Sequence, residues 1–519
     1  MKESIKQLWD KKPLVLIIFI GLFFRTLAVI FSKGYGMFDD HFLVIEASQS
    51  WVDGYDYNNW LPSSGAQSPD GHSLFYSGIH FLIFKCMTVI GLTDPQGKMY
   101  VIRAIHALWS LLVITYGYKI TEYYAGRNVA RQTAMILAIL WCIPMLAVRN
   151  LVEVVCVPPL IIATWMLINP ASKDKLLTYV WVGLLCAVTF NIRFQSLFFI
   201  GGLGLVFLFQ KQWKQFFLFG ICFFIGVFSV QGLVDMWIWH KPFAELMEYV
   251  RYNSANATTY TNGPWFQYFE VIGGVVLPPV GLFVLFGFFR SWKKYPILFW
   301  PSFFFFAFHS CFPNKQERFI YPVIPFFIVL GCIGWAEFVA SSKYWQNHKK
   351  LLKGGWTFFW VLNCIALPVL STTYSKKSRV EAMTYLSKQP DLHGLMVEES
   401  YRDDFTMPPL YYVGHWNVHV VGITKKHSLA TAFDEYRGDH REIIRPNYII
   451  FFGKENFDKR LADFQKMFPD NHYKATITPS LVDAIATFLN PINKNQTTYI
   501  YEFTEKGMQL PDTTKASGH

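Results

Sequence analysis

Long apolar runs separated by short polar turns fill the chain from Leu14 to Leu370. A run of roughly 20 residues with little charge is long enough to cross a bilayer as a helix. By that measure the pattern predicts spans at 14–31, 100–123, 129–148, 154–168, 176–192, 194–210, 216–239, 265–289, 296–311, 319–339 and 356–370. The basic residues agree with this map. With the N-terminus inside, the inner turns hold Lys119/Arg127/Arg131, Lys173/Lys175, Lys211/Lys214, Arg290/Lys293/Lys294 and Lys343/Lys349/Lys350/Lys353, while the outer turns hold only isolated bases. That asymmetry orients helical membrane proteins.

One apolar run breaks the alternation. Residues 74–92 contain His80, Lys85 and Cys86, and counting them as a span would put the basic turn at Arg127 outside. They read instead as a re-entrant or interfacial helix on the outer face. Residues 32–99 then form one long outer loop. Beyond residue 370 the chain becomes polar. Strand-like runs at 447–452 and 499–503 flank a helix-like 458–468, which predicts a small mixed domain outside the bilayer. The expected fold is a polytopic α-helical membrane protein of about eleven spans, with a transmembrane module at 1–372 and an α/β extramembrane domain at 373–519.

Composition sharpens this reading in two places. Of 519 residues 52% are hydrophobic and 16% charged, and the net charge is +11. The excess Lys and Arg sit in short inner turns, so they argue for membrane orientation and against a nucleic-acid partner. The eight cysteines lie in or beside apolar runs with no metal-ligand spacing, which suits buried thiols better than a disulfide framework. Residues 14–31 lack a small-residue cleavage site and carry Arg25, so a cleaved signal peptide is not expected.

The topology gathers polar residues on the outer face. Asp39, Asp40, Glu46 and His72 fall in the first outer loop; Arg103 lies near the start of the next span. Arg149, Asn150, Glu153, Arg193 and Gln195 mark outer turns. Asp235, Tyr252 and Asn253 lie at or after the seventh span, and Lys315, Glu317 and Arg318 precede the tenth. Singly, each has an ordinary structural reading: an outer Arg contacts headgroups, Glu153 or Asp235 pairs at a helix end, and Tyr252 joins the interfacial aromatic belt. Together they suggest a site for an anionic, lipid-linked substrate. The adjacent carboxylates Asp39 and Asp40, flanked by Phe38 and Phe42, are the candidate catalytic centre, because charges at that depth are costly unless they find partners or a task.

Four segments resemble the multispanning mannosyltransferases of the GT-C superfamily, glycosyltransferase family 22, which build GPI anchors and dolichol-linked oligosaccharides. Met37-Phe38-Asp39-Asp40-His41-Phe42 with Glu46 resembles the family's His-Pro-Asp-Glu loop and its following Glu. Arg149-Asn150-Leu151-Val152-Glu153 is similar to its Arg-Thr-Leu-Ser-Glu turn. Arg251-Tyr252-Asn253 through Gly263-Pro264-Trp265-Phe266-Gln267-Tyr268 resembles its Tyr-Asn…Gly-x-x-Pro-Trp-x-Trp-Tyr stretch. Asn314-Lys315-Gln316-Glu317-Arg318-Phe319 through Pro322 is similar to His-Lys-Glu-Glu-Arg-Phe-x-x-Pro. Met37, Asp40, Asn314 and Gln316 depart from that pattern. The order and spacing match over roughly residues 14–340.

The resemblance implies transfer of a hexose, by family default mannose, from a polyprenyl-phosphate sugar to a lipid-linked glycan or glycolipid acceptor, with inversion. A phosphate leaving group needs little protonation, so one carboxylate can act as general base without the second acid of a glycosidase. Asp39, matching the family's Asp, is the expected base, with Asp40 or Glu46 orienting hydroxyls. Lys315 and Arg318, then Arg103, Arg149 and Arg193, are expected at the donor phosphate. His72, Glu153, Asp235, Tyr252, Asn253 and Glu317 are expected around the substrates. No metal or other cofactor is required, although Asp39-Asp40 could hold a metal. Membrane lipids are the remaining expected partners. The outer C-terminal domain and the motif departures point to a bacterial inner-membrane homologue facing the periplasm; a eukaryotic host would place it in the ER membrane. A transporter or flippase for lipid-linked sugars is the alternative, but it calls for ionisable residues in mid-span and internal repeats, and the span middles are nearly charge-free.

Overall fold

The computed structural model describes residues 2–260, 262–431, 446–490 and 495–508. It divides into two compact units. The first comprises Met1–Ser32, Asn58–Lys85 and Tyr100–Thr372; the second comprises Lys33–Tyr57, Cys86–Met99 and Thr373–His519.

Among the described residues the regular elements of the first unit are helices, as they must be where no water can satisfy the backbone. Among the described residues five helices are long and apolar enough to cross a membrane: Pro13–Phe31, Pro95–Ile139, Trp213–Trp239, Glu317–Ser341 and Lys349–Ser371. Six shorter apolar helices accompany them, including Leu74–Val89, Leu176–Ile192 and Pro296–Cys311. Burial separates centre from rim. Of the most apolar 18-residue stretch, 67% is buried in Glu317–Ser341, against 22% in Pro13–Phe31 and in Lys349–Ser371, whose outer faces are left for lipid.

Glycine and proline divide two of the long apolar stretches. Residues 100–123 and the first part of 129–148 form two helices within Pro95–Ile139, separated at Gly126, whose φ of 78° and ψ of 173° are non-helical and suit glycine alone. Residues 265–289 make two helices, Gln267–Val275 and Val280–Arg290, because Pro278 and Pro279 remove successive backbone donors between them. Val280–Arg290 packs closely on Ile324–Ser341. A Cβ on Gly287 would fall 2.0 Å from the Gly331 carbonyl oxygen, so small residues set the helix spacing.

The second unit is built on a five-stranded mixed sheet, ordered β2-β1-β3-β5-β4, with β1 Gly394–Glu398, β2 His419–Ile423, β3 Tyr448–Phe452, β4 Asn471–Ile477 and β5 Thr498–Phe503. β1 lies parallel between β2 and β3, and β5 runs antiparallel between β3 and β4. β1 and β3 are buried at every position, and β3 reads as a continuous apolar run for that reason. The helix Phe457–Met467 lays Phe464 and Met467 on Ile449, Phe451 and Phe503. The sequence places the middle and last of these elements within a few residues. Part of the first outer loop also belongs here: Gly34 bridges Ser375, Ser375 N donates to Lys33 O at 3.1 Å, and Lys376 Nζ donates to Gly36 O at 2.9 Å.

Candidate active site

Three outer turns of the first unit converge on one buried charge cluster. An extended Leu151 starts the short helix Val152–Val155, with Glu153 in its first turn. Glu153 Oε1 lies 2.6 Å from Arg193 Nη1 and 3.7 Å from Arg318 Nε. Arg193 is fixed where helix Leu176–Ile192 gives way to the turn Phe194–Ser196, and Arg318 sits in the turn Glu317–Val323. All three side chains are buried, and both guanidiniums lie at the Glu153 carboxylate. Gln195 Oε1 accepts from Arg193 and lies 3.4 Å from His309 Nε2; Gln316 Oε1 accepts from Arg318 Nε at 2.8 Å. The ring of Phe319 lies 5.6 Å from the Arg193 guanidinium and 5.5 Å from that of Arg318. Tyr249 borders the cluster, its phenol pushed up to about 12 by burial and so held as a neutral donor. Among the described residues Arg193 Nε and Glu153 Oε2 have no hydrogen-bond partner. A buried cationic group with an unused donor is suited to an anion.

The turns are braced against one another. Asn262 bridges Asn314, and Tyr268 OH donates to Gln316 O at 3.1 Å. Three of the four resembling segments are thus joined in this unit. Lys315 is committed differently: its Nζ donates to the carbonyls of His309 and Ser310, each at 2.9 Å, and of Phe312. Its three protons all go to the C-terminal end of helix Pro296–Cys311, where a cation is favoured, and burial lowers its pKa.

Arg103 and Arg149 gather at the end of helix Pro13–Phe31. Arg103 Nε donates to Val29 O at 2.9 Å, and Arg149 Nη2 donates to Ser32 Oγ at 3.0 Å. Within that helix Arg25 is buried, donating to Ser110 Oγ at 2.7 Å and Ala138 O at 2.8 Å. Arg25 and Ser110 line an otherwise mostly apolar cavity of about 70 Å³ that also touches Val154 and Tyr321, sequence neighbours of Glu153 and Arg318.

Asp235 and His72 belong to a second constellation, one that pins the first outer loop. Asp235 Oδ1 accepts from Gln231 Nε2 at 2.8 Å and Oδ2 from Glu245 N at 3.1 Å. Glu245 in turn accepts from Gly71 N (2.8 Å), His72 N (3.2 Å) and Trp239 Nε1 (2.8 Å), while the His72 ring stacks on Trp60. Burial outweighs these three donors and pushes the Glu245 carboxyl up to about 7. Sequence reasoning passed over Glu245; the only hint is a carboxylate ten residues after Asp235 in a short outer helix. It also passed over His309, hidden in an aromatic run.

Tyr252, Asn253 and Glu317 stand apart from the cluster. Tyr252 is exposed and bonded to Tyr260 OH, Asn253 Nδ2 donates to its own helix at Tyr249 O (2.8 Å), and Glu317 is exposed.

The acidic loop lies in the second unit. The chain turns helical at Phe38, and Asp40 Oδ2 accepts from Met37 N at 3.2 Å, closing the first turn as a capping carboxylate does. A π-helix, Asp40–Glu46, follows, a conformation frequent at functional sites. Asp40 is buried and Asp39 half-buried; Phe38 stacks on Phe42 with centroids 4.3 Å apart. Glu46 is fully buried. Its Oε1 accepts from Tyr411 N at 2.9 Å and lies 3.2 Å from His41 Nε2, whose ring is sandwiched between Tyr35 and Tyr412. Asp40 and Glu46 therefore shape the loop, and Asp39 is its more accessible acid. Among the described residues no three His, Cys, Asp or Glu side chains are grouped to hold a metal.

Comparison with known proteins decides the family. The model of the Alg9-like mannosyltransferases matches residues 16–400. The chain belongs to that family. This Alg9-like protein is 23% identical over 396 residues to mannosyltransferase APTG1 of Arabidopsis thaliana, covering 71% of this chain and 70% of that one. It is 25% identical over 313 residues to GPI alpha-1,2-mannosyltransferase 3 of Danio rerio, covering 59% and 56%, so little more than half of that relative is spanned. For GPI mannosyltransferase 3 of Saccharomyces cerevisiae the match is 24% over 201 residues, 36% of this chain and 30% of the relative. Among solved structures, ArnT from Cupriavidus metallidurans bound to undecaprenyl phosphate superposes with a TM-score of 0.57 at 13% identity, covering 86% of this chain and 94% of ArnT. The oligosaccharyltransferase AglB from Archaeoglobus fulgidus, with an inhibitory peptide and a dolichol-phosphate, gives 0.51 at 11%, covering 97% and 75%. The Alg9-like chain is an integral membrane glycosyltransferase with the GT-C fold, carrying a small C-terminal sheet domain.

Proposed function

We propose that this Alg9-like protein moves mannose from a polyprenyl-phosphate sugar to a hydroxyl of a lipid-linked glycan, with inversion. The buried Glu153–Arg193–Arg318 cluster carries the reading. Its unused Arg193 donor, beside the second guanidinium of Arg318, suits a phosphate that gains charge as it leaves. Support for the donor class comes from ArnT and AglB, whose structures hold undecaprenyl phosphate and dolichol-phosphate. The family and the names of its relatives favour mannose.

In the proposed step the acceptor oxygen attacks the anomeric carbon as Asp39 takes its proton. The bond from that carbon to the phosphate oxygen breaks, and polyprenyl phosphate departs with the electron pair. Attack opposite the leaving group turns a β-linked donor into an α-linked product. Asp40 and Glu46 hold the loop that presents Asp39, and Arg103 and Arg149 fix the helix end from which that loop departs. His72 and Asp235, held by Glu245, shape the outer loop on the substrate side, and Tyr252, Asn253 and Glu317 offer further contacts to it. The scheme calls on no metal, since phosphate leaves without acid help. The membrane is proposed to be the bacterial inner membrane, with this face toward the periplasm.

The test is transfer by the purified protein from a panel of synthetic polyprenyl-phosphate sugars to lipid-linked acceptors, with the product anomer read by NMR. An α-mannoside made from the β-linked mannose donor is expected. Inactivity with every donor, together with translocation of the intact lipid-linked sugar, would establish a transporter instead.

A further inference from the structure

The helix Leu481–Leu489 in the sheet domain is built inside out. Ser480 caps it, accepting from Asp483 N at 3.2 Å. Its polar residues face the domain. Asp483 is buried, and its carboxylate accepts from Lys377 N at 3.1 Å and from Asn495 Nδ2 at 3.2 Å; Thr487 Oγ1 accepts from Asn495 N at 3.3 Å. The apolar residues face away: Leu481 is 74% exposed, Ile485 49%, Phe488 86% and Leu489 75%. Positions i, i+4, i+7 and i+8 form one stripe on a helix. A water-facing surface helix carries the opposite pattern, with its charged residues outward.

Chain continuity says what covers the stripe. Lys377, whose backbone N–H is bonded to Asp483, is six residues beyond Ser371, the end of the apolar helix Lys349–Ser371. Six extended residues reach about 20 Å at most, so the helix is tethered within that distance of the point where the chain leaves the bilayer. A short helix with one apolar face, held near a membrane by its polar face, is suited to lie in the lipid interface.

We infer that Leu481–Leu489 is an interfacial anchor, its Leu481/Ile485/Phe488/Leu489 face inserted among the lipids of the leaflet where Ser371 emerges. The anchor fixes the sheet domain at the membrane surface. The test places p-benzoylphenylalanine at Phe488 of the full-length protein in nanodiscs of phosphatidylethanolamine and phosphatidylglycerol. The control places it at Lys459, an exposed position of helix Phe457–Met467. After irradiation, mass spectrometry is expected to find phospholipid adducts at Phe488 and none at Lys459. With the probe at Ile485, the triple variant Leu481→Ser/Phe488→Ser/Leu489→Ser is expected to lose them. Crosslinks from Phe488 to a second copy or to other parts of the chain in place of lipid would overturn the inference, as would equal labelling at Lys459 or no adducts at all.

Discussion

At the scale of single residues, Glu153 decides the most. It lies 2.6 Å from Nη1 of the buried Arg193 and 3.7 Å from Nε of the buried Arg318. Removing one partner of a buried ion pair typically costs about 3–5 kcal/mol, because the charge left behind is uncompensated. Glu153→Gln is therefore expected to lower stability by about that much in chemical unfolding of the detergent-solubilised protein. Adding Arg193→Gln should recover part of the loss, since residues in one network do not act additively. If the two losses simply sum, the shared-carboxylate picture is wrong. In donor titrations Arg318→Gln is expected to reduce kcat by about 10²–10³, the effect of losing one donor to developing charge. A change in KM alone would make Arg318 a ground-state contact. Glu46→Ala strands Tyr411 N in a buried position, which costs about 1–3 kcal/mol; proteolysis should then cut the second unit faster. These roles were unequally legible. Glu153, Arg193 and Arg318 stand out as charges at outer turns, and the motifs place them together. The capping role of Asp40 and the carbonyl ligation of Lys315 depend on local backbone direction, which no periodicity reveals.

At the scale of elements, the outer loop and its clasp set a pH dependence. The Glu245 carboxyl, raised from 4.5 to about 7 by burial, holds Gly71 and His72. Between those values the folded chain keeps a proton that the unfolded chain has lost. Stability from this group is therefore complete below about pH 4.5, falls as pH rises to about 7, and is level above. Thermal unfolding across that range should show the decline, and Glu245→Gln should flatten it; an unchanged slope in the variant assigns the dependence elsewhere. Helix positions were readable because each apolar run had to bury or face lipid along its length. The break at Pro278-Pro279 was not, because it lies inside an apolar run that hydropathy joins, whereas the break at Gly126 falls in the polar turn between two expected spans. Strands β3 and β5 were visible as dense apolar and aromatic runs, but β1, β2 and β4 are five to seven residues long and end in ordinary loops.

At the scale of the whole molecule, the sequence announces a helical membrane module followed by a polar domain, and the family match over residues 16–400 fits a module that extends past the last span. It does not announce that Lys33–Tyr57, with the acidic pair, groups with the sheet domain; that follows from pairings such as Gly34 with Ser375, some 340 residues apart in the chain. The domain thereby acquires a reason to exist: it holds the acidic loop. Weakening that hold should cost activity before it costs the fold. Lys376→Ala, which frees the Gly36 carbonyl, is expected to lower turnover several-fold while the unfolding midpoint moves little. The central claim is narrower, that Asp39 is the base for mannosyl transfer from a polyprenyl phosphate. Single-turnover transfer from polyprenyl-phosphate mannose, wild type beside Asp39→Asn at equal donor binding, tests it most directly. The account expects the variant to bind donor normally and to lose about 10²–10⁴ in the chemical rate; a variant that turns over at the wild-type rate would contradict it.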